Sequence, residues 1–212
     1  MIVEIIPCLS DNYSYVIHEK ETGTTSIVDP SEFEACDKVI NKYKKLDFIL
    51  NTHHHADHVG ANLELKKKYN SKILASEKDR ESISNVDQFL QNGEVIMIGS
   101  TSFEVMFIPG HTLGHIAFYS QSAKVVFTGD TLFSLGCGRI FEGSYKQMFS
   151  SINKIKKLPL DTKIYCGHEY TKKNLEFCLK FNPNNNFLKK KRDDIKISLK
   201  NKKPTIPSTI GD

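Results

Sequence analysis

The segment Thr52-His53-His54-His55-Ala56-Asp57-His58 crowds four histidines and an aspartate into six residues, directly after the apolar run Phe48-Ile49-Leu50. A buried strand that ends this way commits the fold to building a metal site at that end. In an extended loop leaving a strand, side chains alternate, so His53 and His55 point one way and His54 the other. Asp57 and His58 then fall at the start of a predicted helix over 58–69. Imidazoles and a carboxylate suit zinc, iron or manganese, and the lack of thiolates in the segment argues against a closed structural zinc site.

Three more candidate ligands follow short strand-like runs. They are His111 in Pro109-Gly110-His111-Thr112, Asp130 in Phe127-Thr128-Gly129-Asp130, and His168 in Tyr165-Cys166-Gly167-His168. A glycine before each lets the backbone turn tightly at a strand end, so several loops can converge on one edge. Seven candidate ligands exceed what one tetrahedral zinc takes and suit two ions sharing a carboxylate. For a water bridging two such ions the pKa falls from about 15.7 towards roughly 7, giving a hydroxide nucleophile at neutral pH without help from Ser or Cys.

Strand patterns at 2–6, 13–18 and 24–28, a helix at 33–45 and a strand at 46–50 lead into the motif, and a strand at 72–75 follows the helix 58–69. A second series runs 93–98, 101–108, 115–120 and 124–128, with Phe103, Val105 and Phe107 on one face, then a helix at 145–157 and a strand at 162–166. Two strand sets, each trailed by helices, predict an α+β fold: two packed sheets with helices outside, a four-layer αββα sandwich. Helices at 171–181 and 185–200, split by Asn182-Pro183-Asn184-Asn185-Asn186, form a C-terminal appendage. The expected division is a catalytic domain over 1–171 and a shortened helical segment over 172–212.

With 212 residues, 39% of them hydrophobic, the chain can bury an ordinary core. Val3-Glu4-Ile5-Ile6-Pro7 already reads as a strand rather than a leader, and no apolar run approaches membrane-spanning length. Five cysteines without CxxC spacing fit reduced thiols. A soluble, cytoplasmic monomer is expected. The net charge of +4 is local: Lys180 to Lys203 holds nine Lys or Arg against Asp193 and Asp194, which leaves the rest at −3. A mildly acidic body argues against nucleic acid or membrane as partner. Lys189-Lys190-Lys191-Arg192 is then the solvated face of a helix that packs through Phe187, Leu188, Ile195 and Leu199. Single residues have modest readings: His18 at a turn is solvated, His115 supports ligands, and Asp29 forms a turn or orients a ligand.

Thr-His-x-His-x-Asp-His at 52–58, Gly-His-Thr-x-Gly-His at 110–115, Gly-Asp-Thr-Leu-Phe at 129–133 and Gly-His-Glu-Tyr-Thr at 167–171 together resemble the metallo-β-lactamase superfamily. More narrowly, Gly129 through Gly143 and the 167–171 stretch resemble glyoxalase II, the hydroxyacylglutathione hydrolases. Asp11-Asn12-Tyr13, Val28-Asp29-Pro30 and Lys203-Pro204-Thr205-Ile206-Pro207-Ser208-Thr209 extend the match over nearly the whole chain.

The resemblance implies His53, His55 and His111 on one divalent metal ion, Asp57, His58 and His168 on a second, and Asp130 bridging, with zinc in both sites and iron or manganese as alternatives. Asp57 and Asp130 are the implied catalytic carboxylates. It implies an S-(2-hydroxyacyl)glutathione substrate, typically S-D-lactoylglutathione, hydrolysed in the second step of methylglyoxal detoxification, with Cys137, Arg139, Phe141 and Tyr170 at the glutathione portion. Family members continue past the Pro-Thr-x-Pro-Ser-Thr stretch into an Asn-Pro-Phe-x-Arg segment and a further Lys, whereas this sequence stops at Gly211-Asp212, so either it is truncated or the substrate is bound with fewer cationic contacts. Two alternative readings share the motifs: a glutathione persulfide dioxygenase with one iron, and a shortened glutathione-conjugate binder without turnover.

Overall fold

The computed structural model describes residues 1–212. Six strands form the first sheet in chain order: β1 (Ile2–Cys8), β2 (Asn12–His18), β3 (Thr25–Val28), β4 (Phe48–Leu50), β5 (Lys72–Ser76) and β6 (Gln88–Leu90). The first three pair antiparallel, and β3 to β6 run parallel. The second sheet is built from β7 (Val95–Ile98), β8 (Thr101–Phe107), β9 (Ile116–Ser120), β10 (Val125–Gly129), β13 (Lys163–Cys166) and β14 (Ser208–Thr209), in the order β14-β13-β10-β9-β8-β7. Between β10 and β13 lies a small hairpin, β11 (Leu132–Phe133) with β12 (Gly136–Cys137).

Strands 2 to 5 lack polar alternation because both of their faces are covered. In register, Ile27, Ile49 and Ile73 turn outward with Val16 onto Cys36, Ile40 and Leu65 of the helices α1 (Phe33–Ile40) and α3 (Asn62–Tyr69). Their neighbours Ile17, Val28, Leu50 and Leu74 turn inward and meet Phe103, Val105, Phe118 and Phe127 of the second sheet. This is the predicted αββα sandwich. Tyr15 crosses it: its buried hydroxyl donates to the Cys166 carbonyl at the end of β13. Tyr15→Phe leaves that carbonyl unpaired, with an expected loss of about 1–2 kcal/mol, read as a lower urea midpoint at unchanged slope. An unshifted midpoint would show that the bond contributes nothing.

Several expectations need correction. The helix predicted over 58–69 is two, α2 (Ala56–Val59) and α3, because the chain breaks where Gly60 passes the backbone of Ser31; a Cβ on Gly60 would lie 2.4 Å from the Ser31 carbonyl oxygen. The helix predicted over 33–45 stops at Ile40, and Lys44 takes a left-handed conformation (φ +57°) on the way into β4. His18 is not simply solvated: it stacks on Tyr43 with ring centroids 4.2 Å apart and bonds Thr25 Oγ1 at 3.0 Å. After α4 (Tyr145–Lys156), the helix expected over 145–157, the terminal helices α5 (Thr171–Phe181) and α6 (Asn186–Lys200) rest on one another, and only Leu188 and Ile195 of α6 are buried, against Leu175; Phe187 and Leu199 are exposed. A seam with a single partner helix buries one narrow stripe, and positions seven apart lie on it. Beyond α6 the chain returns to the sandwich, where β14 pairs with β13.

Candidate metal centre

Four chain segments reach one edge of the sandwich: β4 runs into 51–55, β8 into the loop 108–115, β10 into Asp130 and β13 into Gly167-His168. Backbone bonds join the two halves along this edge, from Ile116 N to Thr52 O at 2.9 Å, Tyr13 N to Gly167 O at 2.8 Å and Glu169 N to Asp11 O at 2.8 Å. Gly129 takes φ +48°, the left-handed turn that swings Asp130 inward. Gly167 is needed for room, since a Cβ there would stand 2.1 Å from Asp130 Oδ1 and 2.7 Å from His58 Cε1.

All seven residues expected as ligands come together, in two groups of three with Asp130 between. In His53, His55 and His111, and likewise in Asp57, His58 and His168, one candidate ligand atom from each lies within 4.8 Å of the others. Asp130 Oδ1 is 3.4 Å from His58 Nε2, while Oδ2 is 3.2 Å from His168 Nε2 and 3.5 Å from His111 Nε2.

Hydrogen bonds on the far side of four rings fix which nitrogen faces the centre. Thr52 Oγ1 donates to Asp29 Oδ2 (2.7 Å) and so accepts from His53 Nδ1 (3.0 Å). His111 Nδ1 donates to the Arg139 carbonyl (2.7 Å), His58 Nδ1 to Asp29 (3.1 Å) and His168 Nδ1 to Asp11 (2.9 Å). In the neutral rings Nε2 is therefore a bare lone pair in each case. His55 Nδ1 lies 3.1 Å from His53 Nε2 and 3.0 Å from His111 Nε2, so three nitrogens converge. His58 Nε2 and Asp130 Oδ1 are buried without any hydrogen-bond partner. Converging lone pairs and orphaned polar atoms fit divalent cations, which would satisfy them together.

The two clusters differ electrostatically. Burial, with the imidazoles of His58, His115 and His111 adding to it, holds His53 well below the usual histidine range, and burial also lowers His55 and His111. Burial opposes charge on His58 too, yet Asp130, Asp29 and Asp57 lift it to about 9; Asp130 and Asp11 similarly raise His168. Despite burial, His58, His168 and His111 keep Asp130 well below the carboxylate range. One cluster is thus a neutral nitrogen set, and the other is rich in carboxylate.

A cavity of about 460 Å³ opens over both clusters, bordered by Asp57 and Asp130 and by Cys137, Arg139, Phe141 and Tyr170, the four residues expected at the substrate. Tyr170 lies flat on His168 (centroids 4.8 Å apart, 5° between planes), and Phe141 stands edge-on to His55 and His111. Arg139 sits over the Phe141 ring at 5.1 Å. Burial raises the Cys137 thiol, so it is no ready nucleophile. His115 is buried, held at about 3 chiefly by burial, and its Nε2 accepts the Asp130 backbone N–H at 3.1 Å. Asp11 and Asn12, which entered the sequence reading only through the resemblance at 11–13, turn out to hold ligand candidates: Asn12 Nδ2 donates to Asp57 Oδ2 at 2.8 Å. Sequence reasoning missed Phe133, which closes the cavity against Tyr170.

Comparison with known proteins agrees with this architecture. Residues 11–168 match the metallo-beta-lactamase superfamily, and residues 169–212 match the hydroxyacylglutathione hydrolase C-terminus. A hydroxyacylglutathione hydrolase of Pelagibacter ubique (strain HTCC1062) is 49% identical over 211 residues, spanning 99% of this chain and 88% of that protein. Among solved structures, ETHE1 from Myxococcus xanthus superposes with a TM-score of 0.72 at 29% identity, covering 80% of this chain and 76% of that one. The B3 metallo-beta-lactamase BLEG-1 gives 0.71 at 27%, covering 79% and 91%. With both family regions present in tandem and near-half identity along its whole length, the chain belongs to the hydroxyacylglutathione hydrolase family of the metallo-beta-lactamase superfamily.

Proposed function

We propose that this site hydrolyses the thioester of S-(2-hydroxyacyl)glutathione, S-D-lactoylglutathione above all, to glutathione and the 2-hydroxy acid. His53, His55 and His111 would hold one divalent cation and Asp57, His58 and His168 a second, zinc in both, with the Asp130 carboxylate standing between the two sets. Supporting this most directly is Asp130 Oδ2, within 3.5 Å of an imidazole nitrogen from each cluster. Bound cations supply Lewis acidity, which draws the pKa of a nearby water towards roughly 7 and polarises the thioester carbonyl.

The side chains position the reaction. Asn12 holds Asp57, and the turn at Gly129 with the Asp130 N–H bond to His115 holds Asp130, so both carboxylates border the cavity in position to accept the proton that the attacking water releases. Arg139 offers a planar, permanently charged fork to a glutathione carboxylate, and Tyr170 a hydroxyl; Cys137 and Phe141 line the same wall. A thiol with a pKa of about 8.5 leaves as its anion, so the reaction needs no general acid. Residues 1–171 carry the chemistry, and 172–212 form the helical appendage, whose end rejoins the second sheet through β14. The protein works as a cytoplasmic monomer; no helix is long and apolar enough to cross a membrane.

Metal counting and thiol release from S-D-lactoylglutathione test the reading together. Two cations per chain are expected, with turnover abolished by a chelator and restored by zinc. A single iron per chain, with oxygen consumed on glutathione persulfide and no thiol release, would replace hydrolysis by dioxygenation.

A further inference from the structure

His54 stands beside His55 but outside both groups of three, and it spans two carboxylates. Its Nδ1 is 3.0 Å from Asp79 Oδ1, and its Nε2 is 3.1 Å from Glu142 Oε1. Asp79 is a fixed support: it is buried in the turn after β5, and its backbone carbonyl accepts from Ser82 and Ile83. The loop bearing His111 packs directly on it, since a Cβ on Gly114 would lie 2.1 Å from Asp79 Oδ1. Glu142 is the far anchor, at the end of the loop that presents Arg139 and Phe141. Its Oε2 accepts the Leu113 backbone N–H at 2.8 Å, and the Phe141 and Glu142 amides reach the His111 carbonyl at 3.2 and 3.3 Å.

From this geometry we infer that His54 is a positioning residue for substrate binding. Through Glu142 it fixes the loop 137–142, and so the Arg139 guanidinium and the Phe141 ring, over the two clusters. The inference rests on the reading that these two residues meet the glutathione portion. Without His54 the loop keeps its bonds to Thr131, His111 and Leu113, but Glu142 loses the imidazole beside it, and the Arg139 guanidinium is held less closely at its distance from the reacting carbonyl. His54 ligates nothing in this scheme, so the metals stay.

The test uses the metal-loaded protein and the variants His54→Ala, Glu142→Gln and their combination. Each single variant is expected to raise KM about tenfold, on the order of one lost contact to a charged group, with kcat within about threefold and metal content unchanged. Amide exchange at Phe141 and Glu142 should quicken in both, and the double variant should be no worse than either single one. Unchanged amide exchange, additive effects on KM, or metal content that falls in step with kcat would each overturn the inference. Should the unaltered protein release no thiol, the functional reading fails instead, and amide exchange with metal content still decides the role of His54.

Discussion

Asp130→Asn is expected to lower kcat for thiol release by roughly 10³-fold, the scale of losing a preorganised electrostatic group at a reacting centre. The amide matches the carboxylate in shape, so the buried pocket should survive. Its charge is gone, however, and an Nδ2 donor would now stand where an oxygen faces His58 or the pair His111 and His168. Elemental analysis should find no more than one tightly held cation per chain. Two retained cations with kcat within tenfold of the unaltered protein would rule out a bridging role. The metal-free fold should also lose stability at neutral pH, because His58, His168 and His111 hold Asp130 ionised and the amide lacks that attraction.

Asp29→Ala should show the largest effect on stability. Its carboxylate accepts from Thr52 N at 2.8 Å, Thr52 Oγ1 at 2.7 Å and His58 Nδ1 at 3.1 Å, all buried. Losing one partner that satisfied three buried donors costs about 3–5 kcal/mol, as when a buried pair is broken. The left-handed backbone at this position (φ +49°) suits aspartate better than alanine and adds to the loss. Denaturant unfolding of the metal-free proteins measures this term apart from cation binding. Metal affinity should fall a further 10–100-fold, about the usual effect of removing a residue that orients a ligand. A variant that unfolds at the unaltered midpoint would show that water replaces the carboxylate at no cost.

Reading the chain alone, one finds the residues that converge at this edge more surely than those that hold them in place. His53, His55 and His58 stand close together after a buried strand, and Gly129-Asp130 and Gly167-His168 each end one, so local pattern carried them. The supports are tied across segments far apart in the chain, by hydrogen bonds between Asp11 and His168, Asn12 and Asp57, and Asp79 and His54, and by the close pairing of Glu142 with His54. Such bonds leave no periodic trace, and their donors and acceptors resemble ordinary turn residues. The missed strands β6, β11, β12 and β14 are two or three residues long, too short for alternation to register. Helix breaks were missed for the same reason: Gly60 sits opposite Ser31 only once the sheet has formed.

Each cluster draws on both halves of the sandwich. His53 and His55 come from the first and His111 from the second; Asp57 and His58 come from the first and His168 from the second. A cation at either position therefore acts as a rivet through two plates, and opening of the sandwich and release of the ion become a single linked equilibrium. At a free concentration a thousandfold above its dissociation constant, each such rivet would add about 4 kcal/mol to the closed form. The supply of metal would then set how long the folded protein lasts as well as how fast it turns over.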